Sequence, residues 1–397
     1  MRKRWKRIVL IFVVLVALVQ IRFIYRRVQI GRLSQRIARL QANKSAVESP
    51  AYKDLAGAIH VHTSLGGHSN ATFEELIRGS KGLDFVILTE HTAELLDTAA
   101  MTLNGTYDGV LFVGGNELDT ASGHDRMLLI PGTAEAFKRR MTMTPAFIAP
   151  FQKEGRLAFV TYPERFTTWY SNFDGVEVFN LNTNARQASY LPLFLDALWS
   201  YRKFPELTLA MHLSRPDENL QKFDEVASKR RITLFAGSDA HSNIGFHLLG
   251  DDSGNKHINL KFDDYAVIFR VMKTHVLLER EKELAQESLL EALRAGHCYV
   301  GFDVLSDSKG FWFSAGDRIM GDETSLAGTP HLRVTAPQNA RIVLLKDGAR
   351  IAEASDAREL VFQPRETGAY RVEVFLDSLG QPFDRLPWII SNPIYVK

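Results

Sequence analysis

The feature that most constrains the fold of this chain is a series of seven short runs, rich in Val, Ile, Leu and Phe, between residues 51 and 302. Short runs of this kind are typical of strands that are buried on both faces of a parallel sheet. We therefore predict seven buried strands. The runs cover residues 58–61, 85–88, 110–113, 157–160, 176–179, 207–211 and 232–235.

Helical patterns lie between several of these runs. Thr72 and Glu75 have the spacing of a capping box, which predicts a helix beginning just after Thr72. Residues 216–230 carry apolar side chains at helical spacing, and residues 284–295 do the same before Gly296, a typical helix stop. This alternation of strands and helices predicts the α/β class and, over about 250 residues, a barrel.

Side chains that can bind metals follow four of the predicted strands. Residues two apart on a strand point to the same side, so His60 and His62 should face one point together. Because the carboxyl ends of parallel strands open on one face of a barrel, all of these side chains should converge there. The six side chains are His60, His62, His91, Glu117, Asp239 and His241, and Glu90 directly precedes His91.

Such a set of imidazoles and carboxylates can bind more than one divalent ion. A cluster of metal ions can lower the pKa of bound water toward neutrality and so supply hydroxide as a nucleophile. The single cysteine, Cys298, excludes an intramolecular disulfide and zinc sites built from cysteine pairs. We therefore predict a polynuclear metal site made of His, Asp and Glu.

The motifs resemble those of the PHP superfamily, named after the polymerase and histidinol phosphatase domain. The resemblance implies a distorted seven-stranded (β/α)7 barrel with up to three divalent metals over residues 55–302. It rests on His60-x-His62-Thr63, Thr89-Glu90-His91, Glu117 and residues 237–241. A narrower resemblance is to the carbaryl-hydrolase-like branch, in which a β domain follows the barrel. The narrower resemblance rests on residues 174–180, 215–219, 274–276 and 387–395.

The resemblance also implies roles for individual residues. His60 and His62 would bind one metal ion, and Glu117 is a candidate to bridge two ions. Two or three Zn, Mn or Fe ions would be held in all. The rest of the cluster would be His91, Asp239 and His241.

Two positions depart from the family pattern. Glu90 stands where many relatives have Asp, and we predict that it contributes to catalysis by orienting a metal ligand. Tyr162 stands where the family usually has a His before Pro, so that a third metal site would be lost or altered. His124 is predicted to compensate as a metal ligand or catalytic acid, and His68 and His212 are further candidates.

The N-terminus has the pattern of a membrane anchor. Residues 2–7 are strongly basic, residues 8–19 form an unbroken apolar run, and the stretch reaches spanning length if it extends to Tyr25. No small-residue cleavage site follows, so we predict an uncleaved anchor over residues 1–27 rather than a removed signal. Basic residues flank the run on both sides, so the positive-inside bias does not decide its orientation in the membrane. We expect the enzyme outside the cytoplasm, as in most hydrolases with one basic N-terminal anchor.

Residues 28–50 are predicted to be a basic amphipathic linker. Ile30, Leu33, Ile37 and Leu40 are spaced as on one face of a helix, with arginines between them. Three alternatives stay open for this helix: a position on the membrane surface, a short stalk, or a solvated linker.

Residues 305–397 differ from the barrel predicted over residues 51–304. Apolar residues alternate with polar ones there, no helical pattern occurs, and Asp347-Gly348 predicts a hairpin turn. We predict a small all-β sandwich domain that packs on the barrel.

Two classes of function fit these features. The first is hydrolysis of a small-molecule ester by metal-activated water, with a phosphoester favoured and a carbamate, carboxylic ester or amide as the alternative. The second is a membrane-anchored binding protein with a structural metal site. The formal net charge is +2 and residues 1–44 hold twelve Lys or Arg, so the folded body offers no basic surface for nucleic acid. Lipid is an expected partner only through the anchor.

Overall fold

The computed structural model describes residues 2–42, 44, 49, 51–67, 69–187, 190–242, 245–247, 259–328 and 331–397. The candidate His68 lies outside the described residues. The α-helices are α1 (Arg2–Ala42), α2 (Phe73–Gly79), α3 (Thr98–Met101), α4 (Glu135–Arg139), α5 (Thr144–Lys153), α6 (Leu181–Gln187), α7 (Tyr190–Asp196), α8 (Pro205–Ala210), α9 (Asp217–Ala227), α10 (Tyr265–Val271) and α11 (Gln286–Ala295).

A π-helix, Ala197–Tyr201, extends α7, and short 3-10 helices cover Ser64–Gly66 and Asp377–Leu379. The strands are β1 (Tyr52–Val61), β2 (Phe85–His91), β3 (Gly105–Tyr107), β4 (Val110–Asp119), β5 (Arg126–Ile130), β6 (Leu157–Thr161), β7 (Gly175–Asn180), β8 (Thr233–Ala240), β9 (Gly245–His247), β10 (Asn259–Lys261), β11 (Lys273–Glu279), β12 (Cys298–Gly301), β13 (Trp312–Ala315), β14 (Arg318–Ile319), β15 (Glu323–Thr324), β16 (Leu332–Lys346), β17 (Ala349–Phe362), β18 (Gly368–Phe375), β19 (Ile389–Ser391) and β20 (Ile394–Val396).

Seven strands close a barrel in the order β1, β2, β4, β5, β6, β7, β8 and back to β1. All neighbours are parallel except β5, which runs antiparallel to both β4 and β6. The carboxyl ends of the other six strands therefore open on one face. The fold is mixed α/β, as predicted. It is not a regular (β/α)7 barrel, because β4 leads into β5 without a helix between them.

One predicted strand is wrong, and a strand that was not predicted takes its place in the barrel. Residues 207–211 belong largely to helix α8, which begins with Pro205 and has Glu206 in its first turn. Proline at a helix start and an acidic first turn both favour a helix, and periodicity alone cannot separate short apolar runs of the two kinds. The seventh barrel strand is β5, whose burial along Met127–Ile130 is complete.

Two predicted helices whose ends carry capping residues are present in the structure. Thr72 caps α2 and its side chain accepts from the Glu75 backbone N–H, while Glu75 completes the capping box. Gly296 ends α11 in the left-handed region with φ of 75°. These two helices lie close to their predicted positions because local hydrogen bonds, rather than tertiary contacts, set their ends.

Helix α1 joins the predicted anchor and the predicted linker into one helix. Residues 4–19 are exposed, and among the described residues α1 is the one helix long and apolar enough to cross a membrane. The face predicted for the linker packs on the protein: Ile30, Leu33 and Ile37 are buried in the main hydrophobic core. The second half of α1 is therefore part of the folded body rather than a solvated linker.

The C-terminal strands are hydrogen-bonded into the same sheet as the barrel. Strand β11 pairs antiparallel with the first half of β1, and the sheet continues through β12, β19, β18 and β16. The pairing of β12 with β19 crosses the predicted boundary at residue 304. Asp347 and Gly348 form the predicted hairpin turn between β16 and β17, both with positive φ.

Candidate metal centre

The first strand of the barrel is distorted where it delivers its two histidines. His60 has φ of 65°, and the pairing of β1 with both β2 and β8 shifts register between Ile59 and Val61. Simple alternation along a strand is interrupted there. His60 and His62 nevertheless converge, with ring centroids 5.1 Å apart. The bulge, rather than the regular two-residue repeat, aims His60 into the site.

Three imidazoles converge on one carboxylate oxygen. Glu117 Oε2 lies 3.4 Å from His60 Nε2, 3.2 Å from His62 Nε2 and 3.3 Å from His91 Nε2. Asp239 Oδ1 lies 3.6 Å and 3.5 Å from the same His60 and His62 nitrogens. The strand ends of β1, β2, β4 and β8 thus bring together the side chains predicted from the sequence.

The ligand atoms form two overlapping groups that share His62. One group is His62, His91 and His241, and the other is His60, His62 and Glu117. In each group the ligand atoms lie within 4.8 Å of one another. The His62 ring lies between the other two of its group, 4.9 Å from His91 and 4.5 Å from His241.

The geometry fits bound metal ions. Ligand atoms about 2.1 Å from a tetrahedral ion lie about 3.4 Å from each other. The separations of 3.2 to 3.6 Å around Glu117 Oε2 and Asp239 Oδ1 agree with that distance. Within the part of the chain that the structure describes, His60 Nε2 and Asp239 Oδ1 are buried without a hydrogen-bond partner. Buried polar atoms are rarely left so, and a cation would satisfy both.

Hydrogen bonds from outside the cluster fix the orientation of two rings. His60 Nδ1 lies 2.8 Å from Glu177 Oε1, and a carboxylate can only accept, so Nδ1 carries the proton. His241 Nδ1 donates in the same way to the Asp239 backbone carbonyl at 2.8 Å. In the His60 ring this leaves Nε2 facing Glu117 and Asp239, and in the His241 ring Nε2 is the potential ligand atom, the arrangement that protein metal sites commonly use.

Asp239 is held by two neutral donors. Its Oδ2 accepts from the Tyr162 hydroxyl at 2.8 Å and from Asn182 Nδ2 at 3.2 Å, which leaves Oδ1 toward the histidines. Asp239 and Tyr162 both have positive φ, of 47° and 50°. Non-glycine residues in this region are strained, and together with His60 they concentrate strain at the cluster.

The charged groups of the cluster shift one another's pKa values. Burial alone would lower the pKa of His60, but the carboxylates of Glu177, Glu117 and Asp239 raise it well above its ordinary value. The pKa of His62 is likewise raised to about 9 against the effect of burial. Burial would raise the pKa values of Glu117 and Asp239, but the imidazoles lower both. The site is therefore strongly attractive to cations.

Glu90 lies behind the ligands. Its carboxylate accepts from the Thr63 backbone N–H at 3.1 Å, the Thr63 hydroxyl at 2.6 Å and the Thr102 hydroxyl at 3.2 Å. Burial raises the pKa of Glu90. Through Thr63 it holds the turn that follows His62, so its place suits the predicted orienting role. A catalytic role for Glu90 stays a prediction.

Two other predicted histidines are not brought to the cluster. His124 is exposed in the loop between β4 and β5 and belongs to neither ligand group. The reason is the antiparallel turn of the chain there, which presents Arg126 rather than His124 to Glu117. His212 Nε2 lies 2.9 Å from Asp196 Oδ2 instead, because the segment before it is a helix and not a barrel strand.

Sequence reasoning missed Glu177 and Arg126. Glu177 is fully buried in β7, where it also accepts from Thr161 and Asn180. A charged residue inside a strand that is otherwise apolar was the available signal. Arg126 Nη1 lies 3.3 Å from Glu117 Oε1, and its other nitrogens bind Asp119 at 2.7 and 2.9 Å. No comparable signal existed for Arg126, because it depends on the unpredicted strand β5.

A cavity of about 640 Å³ opens beside the cluster. His91, Glu117, Asp239 and His241 line one end of it, together with Arg126 and Tyr162. This volume is in the range of sites for small-molecule ligands. The fold and the cluster thus define an α/β barrel protein with a candidate polynuclear metal centre at a substrate-sized cavity.

Comparisons with known proteins add little to this description. No protein-family model matches the sequence, and no curated protein matches it. A solved structure from Bacteroides vulgatus, a two-domain protein described as containing a PHP-like metal-dependent phosphoesterase, has 14% identity and a TM-score of 0.37 over 89% of this chain and 97% of its own. The lesion-specific endonuclease EndoQ from Pyrococcus furiosus has 14% identity and a TM-score of 0.33 over 61% of this chain and 56% of its own. Both TM-scores are low, so the strand pairings described above carry the fold assignment.

Proposed function

We propose that this protein is a divalent-metal-dependent hydrolase of the PHP superfamily and that it acts on phosphoesters. The observation that carries the proposal is the approach of three imidazole nitrogens to a single oxygen of Glu117 at 3.2 to 3.4 Å. Nitrogens and oxygens at this separation suit shared metal ions, and His60 Nε2 is buried without a hydrogen-bond partner among the described residues.

The donor set supports two ions. The two ligand groups share His62, which agrees with adjacent sites, and a mixture of imidazole and carboxylate suits Zn, Mn or Fe. When bound, a pair of such ions would stabilise both the attacking and the leaving oxygen in phosphoester hydrolysis and would lower the pKa of water. This pairing is the reason for favouring a phosphoester over a carboxylic ester.

The residues of the chain prepare the site for an anionic substrate. Glu177 fixes the His60 ring, and the Asp239 backbone carbonyl fixes the His241 ring, so that both can serve as ligands without rearrangement. The Arg126 guanidinium lines the cavity next to Glu117, where its pairs with Glu117 and Asp119 hold it in place beside the metal ligands as a cationic donor for an anionic group. A phosphoester is anionic, whereas most carbamates and carboxylic esters are neutral.

We also propose that α1 anchors the protein and that the body lies outside the cytoplasm. Arg26 pairs with Asp196 at 2.7 Å, and Arg27 and Arg36 donate to carbonyl oxygens of the body. Part of the basic charge that follows the apolar run is therefore used within the fold. The basic residues at positions 2–7 have no such use among the described contacts, and the cytoplasmic side attracts such a cluster.

The metal-dependent activity can be tested with the full chain in phosphatidylcholine nanodiscs. Metal content is measured after purification, after chelation, and after adding back Zn, Mn or Fe. The substrate panel is p-nitrophenyl phosphate, bis-p-nitrophenyl phosphate, p-nitrophenyl acetate and an aryl carbamate. We expect phosphoester hydrolysis that chelation abolishes and one of the metals restores.

Other outcomes of the same panel separate the alternatives. Turnover restricted to the acetate or the carbamate would replace the phosphoesterase proposal with the alternative ester hydrolase. Tightly bound metal with no turnover of any compound would favour a binding protein with a structural metal site.

The side of the membrane on which the body lies can be measured with one introduced cysteine. The only native cysteine, Cys298, is buried. Tyr170 is 78% exposed on the body, so Tyr170→Cys gives a reactive site. Labelling of intact cells by a membrane-impermeant maleimide is expected, and labelling only after lysis would place the body in the cytoplasm.

A further inference from the structure

The cavity beside the metal centre has a second end with a different chemistry. Beyond the ligands, its wall is mainly apolar, with Asn182, Tyr201 and Asp263 as the polar members, and comes mainly from residues between 181 and 213, with additions near α10. The apolar wall includes Leu181, Leu193, Phe194, Leu209, Leu213 and Ile268. A small water-soluble phosphoester would need only the end that contains the ligands and Arg126, so the apolar end needs a separate explanation.

The helices that form the apolar end also hold the membrane helix. Helix α1 contacts α7, the π-helix and α8. Trp199 is central to this contact: its Nε1 donates to Gln20 Oε1 at 2.7 Å, and its carbonyl accepts from Arg27 Nη1 at 2.6 Å. Asp196, one turn earlier, pairs with Arg26 at 2.7 Å.

These contacts fall at the level where α1 changes its surroundings. From Ile8 to Val28 one side of α1 carries exposed apolar residues, while Phe23, Ile30 and Leu33 are buried against the body. A bilayer that covers this exposed side over a spanning length would end between Gln20 and Val28, close to Trp199 and the arginines. Tryptophan and arginine are the residues typical of that boundary. The apolar end of the cavity is therefore next to the membrane surface.

An apolar strip leads from the cavity to this surface. Leu191 is 68% exposed, Phe194 is 45% exposed and Leu198 is 65% exposed, at a spacing of three and four residues along α7 and the π-helix. Phe194 also lines the cavity, so the apolar wall continues from the inside to the outside. Apolar side chains grouped in this way are costly in water but suit contact with the acyl region of a bilayer.

From these observations we propose that the substrate is a membrane amphiphile, with a phosphoester that reaches the metal centre and an apolar chain that occupies the cavity along α6, α7 and the π-helix. The inference rests on the proposed phosphoesterase function and adds the substrate class. It also gives α1 a role beyond attachment, because α1 sets the cavity mouth at the level of the bilayer surface.

A series of n-alkyl phosphates from methyl to hexyl tests the apolar end while the substrate stays in water. Phosphate release is followed with the metal-loaded full chain in phosphatidylcholine nanodiscs. Burial of a methylene group increases binding by up to about fourfold, so kcat/KM should rise steeply with chain length. A flat profile across the series would overturn the proposal.

Narrowing the apolar end should remove this dependence. Ala197 and Ala185 line that end, so Ala197→Phe, with Ala185→Phe as a second variant, places a ring where the chain would lie. We expect each to flatten the chain-length profile, so that the ratio of hexyl to methyl phosphate turnover falls toward one. Ala149→Phe is the matched control, at an exposed helical alanine outside the cavity wall, and should keep the full profile. Equal loss for all chain lengths in the cavity variants would argue against the proposal.

Nanodiscs that carry phosphatidic acid or phosphatidylglycerol test delivery from the bilayer. We expect at least one of these lipids to be hydrolysed at least tenfold faster than the soluble glycerol phosphate that matches its headgroup. Metal-dependent hydrolysis of soluble phosphoesters with no preference for lipid would overturn this inference and leave the proposed function standing. No metal-dependent hydrolysis of any phosphoester, p-nitrophenyl phosphate included, would reject the proposed function, and this inference with it.

Discussion

Among the described residues, two buried histidine sites lie beside opposite halves of β1, and their hydrogen bonding differs. At the carboxyl end of β1, His60 directs one nitrogen to Glu177 and the other toward Glu117 and Asp239. Beside the first half of β1, His275 of β11 lies between Asp54 and Asp303. Both sites combine imidazole with carboxylate, so residue types alone do not distinguish a metal centre from a structural ion pair.

What separates the two sites is whether the protein already satisfies the ligand atoms. His275 Nδ1 lies 2.8 Å from Asp54 Oδ1, and its Nε2 is 3.3 Å from Asp303 Oδ2 and 3.1 Å from the Ser308 hydroxyl. The Tyr299 ring stacks on it at 4.6 Å. His60 Nε2, in contrast, is buried without a hydrogen-bond partner among the described residues. A saturated histidine stabilises the fold, whereas one with an unused buried nitrogen can bind a metal.

The strongest test of this contrast is Asp239→Asn. The amide has nearly the same shape, but it removes a negative charge from the atom that faces His60 and His62. Loss of a residue that hydrogen-bonds to a metal ligand costs about 10-fold to 100-fold in metal affinity or activity. Loss of a direct ligand should cost more than about 100-fold. Metal stoichiometry and phosphoester turnover give the measurement. Full metal content and activity in this variant would remove the basis for the metal centre.

Glu177→Gln should have the next largest effect. The amide can no longer hold the proton on His60 Nδ1 as a carboxylate does, so metal affinity should fall by about 10-fold to 100-fold while the fold is retained. A competing chelator titration measures the affinity. Gly237→Ala perturbs the same contact by another route, because a Cβ there would lie 1.6 Å from Glu177 Oε1. Unchanged affinity in both variants would mean that Glu177 is structural only.

The sequence was sufficient to predict part of this fold and site. The ligands at the ends of β1, β2, β4 and β8 could be predicted because they follow apolar runs whose burial the barrel requires. The helix α8 and the strand β5 could not be assigned, because both are short apolar segments whose state depends on tertiary contacts. The bulge that aims His60 was also beyond prediction, since it arises from pairing with two neighbouring strands.

The contrast between Glu177 and His124 has the same physical origin. Glu177 belongs to the site because β7 lies beside β8 in the barrel, and no local pattern gives that neighbour relation. His124 is close in sequence to Glu117, yet the chain reverses direction between them and leaves it exposed. Closeness along the chain is a poor guide wherever the chain turns back, which is the case at the one antiparallel strand of the barrel.

Variants at His275 should change stability rather than metal content. Burial would lower the pKa of His275, but Asp303 and Asp54 raise it to about 9 from an unfolded value of 6.5. The protonated form therefore stabilises the fold fully below about pH 6.5, and this contribution, on the order of 3 kcal/mol, is lost as the pH rises through about 9. Denaturant unfolding of wild type and His275→Gln at pH 6 and pH 10 should show a difference that shrinks at the higher pH, in metal-loaded protein.

The control for His275→Gln is its metal content, which should equal that of the wild type. Loss of metal in a folded His275→Gln protein would contradict the separation of the two sites. A stability difference that is the same at both pH values would mean that His275 is neutral in the folded state, and that its carboxylate neighbours contribute through hydrogen bonds alone.

The smallest expected effect is that of His124→Ala, and it distinguishes the sequence-based prediction from the geometry. The side chain is exposed and belongs to neither ligand group, so metal stoichiometry, phosphoester turnover and unfolding free energy should all stay close to wild type. Surface substitutions of this kind usually change stability by less than about 0.5 kcal/mol. Arg126→Lys is the informative partner, because Arg126, and not His124, lies beside Glu117. If His124→Ala lost one equivalent of bound metal, the loop between β4 and β5 would have to close over the cavity when metal binds. His124 would then be a metal ligand that reaches the cluster only through movement of that loop.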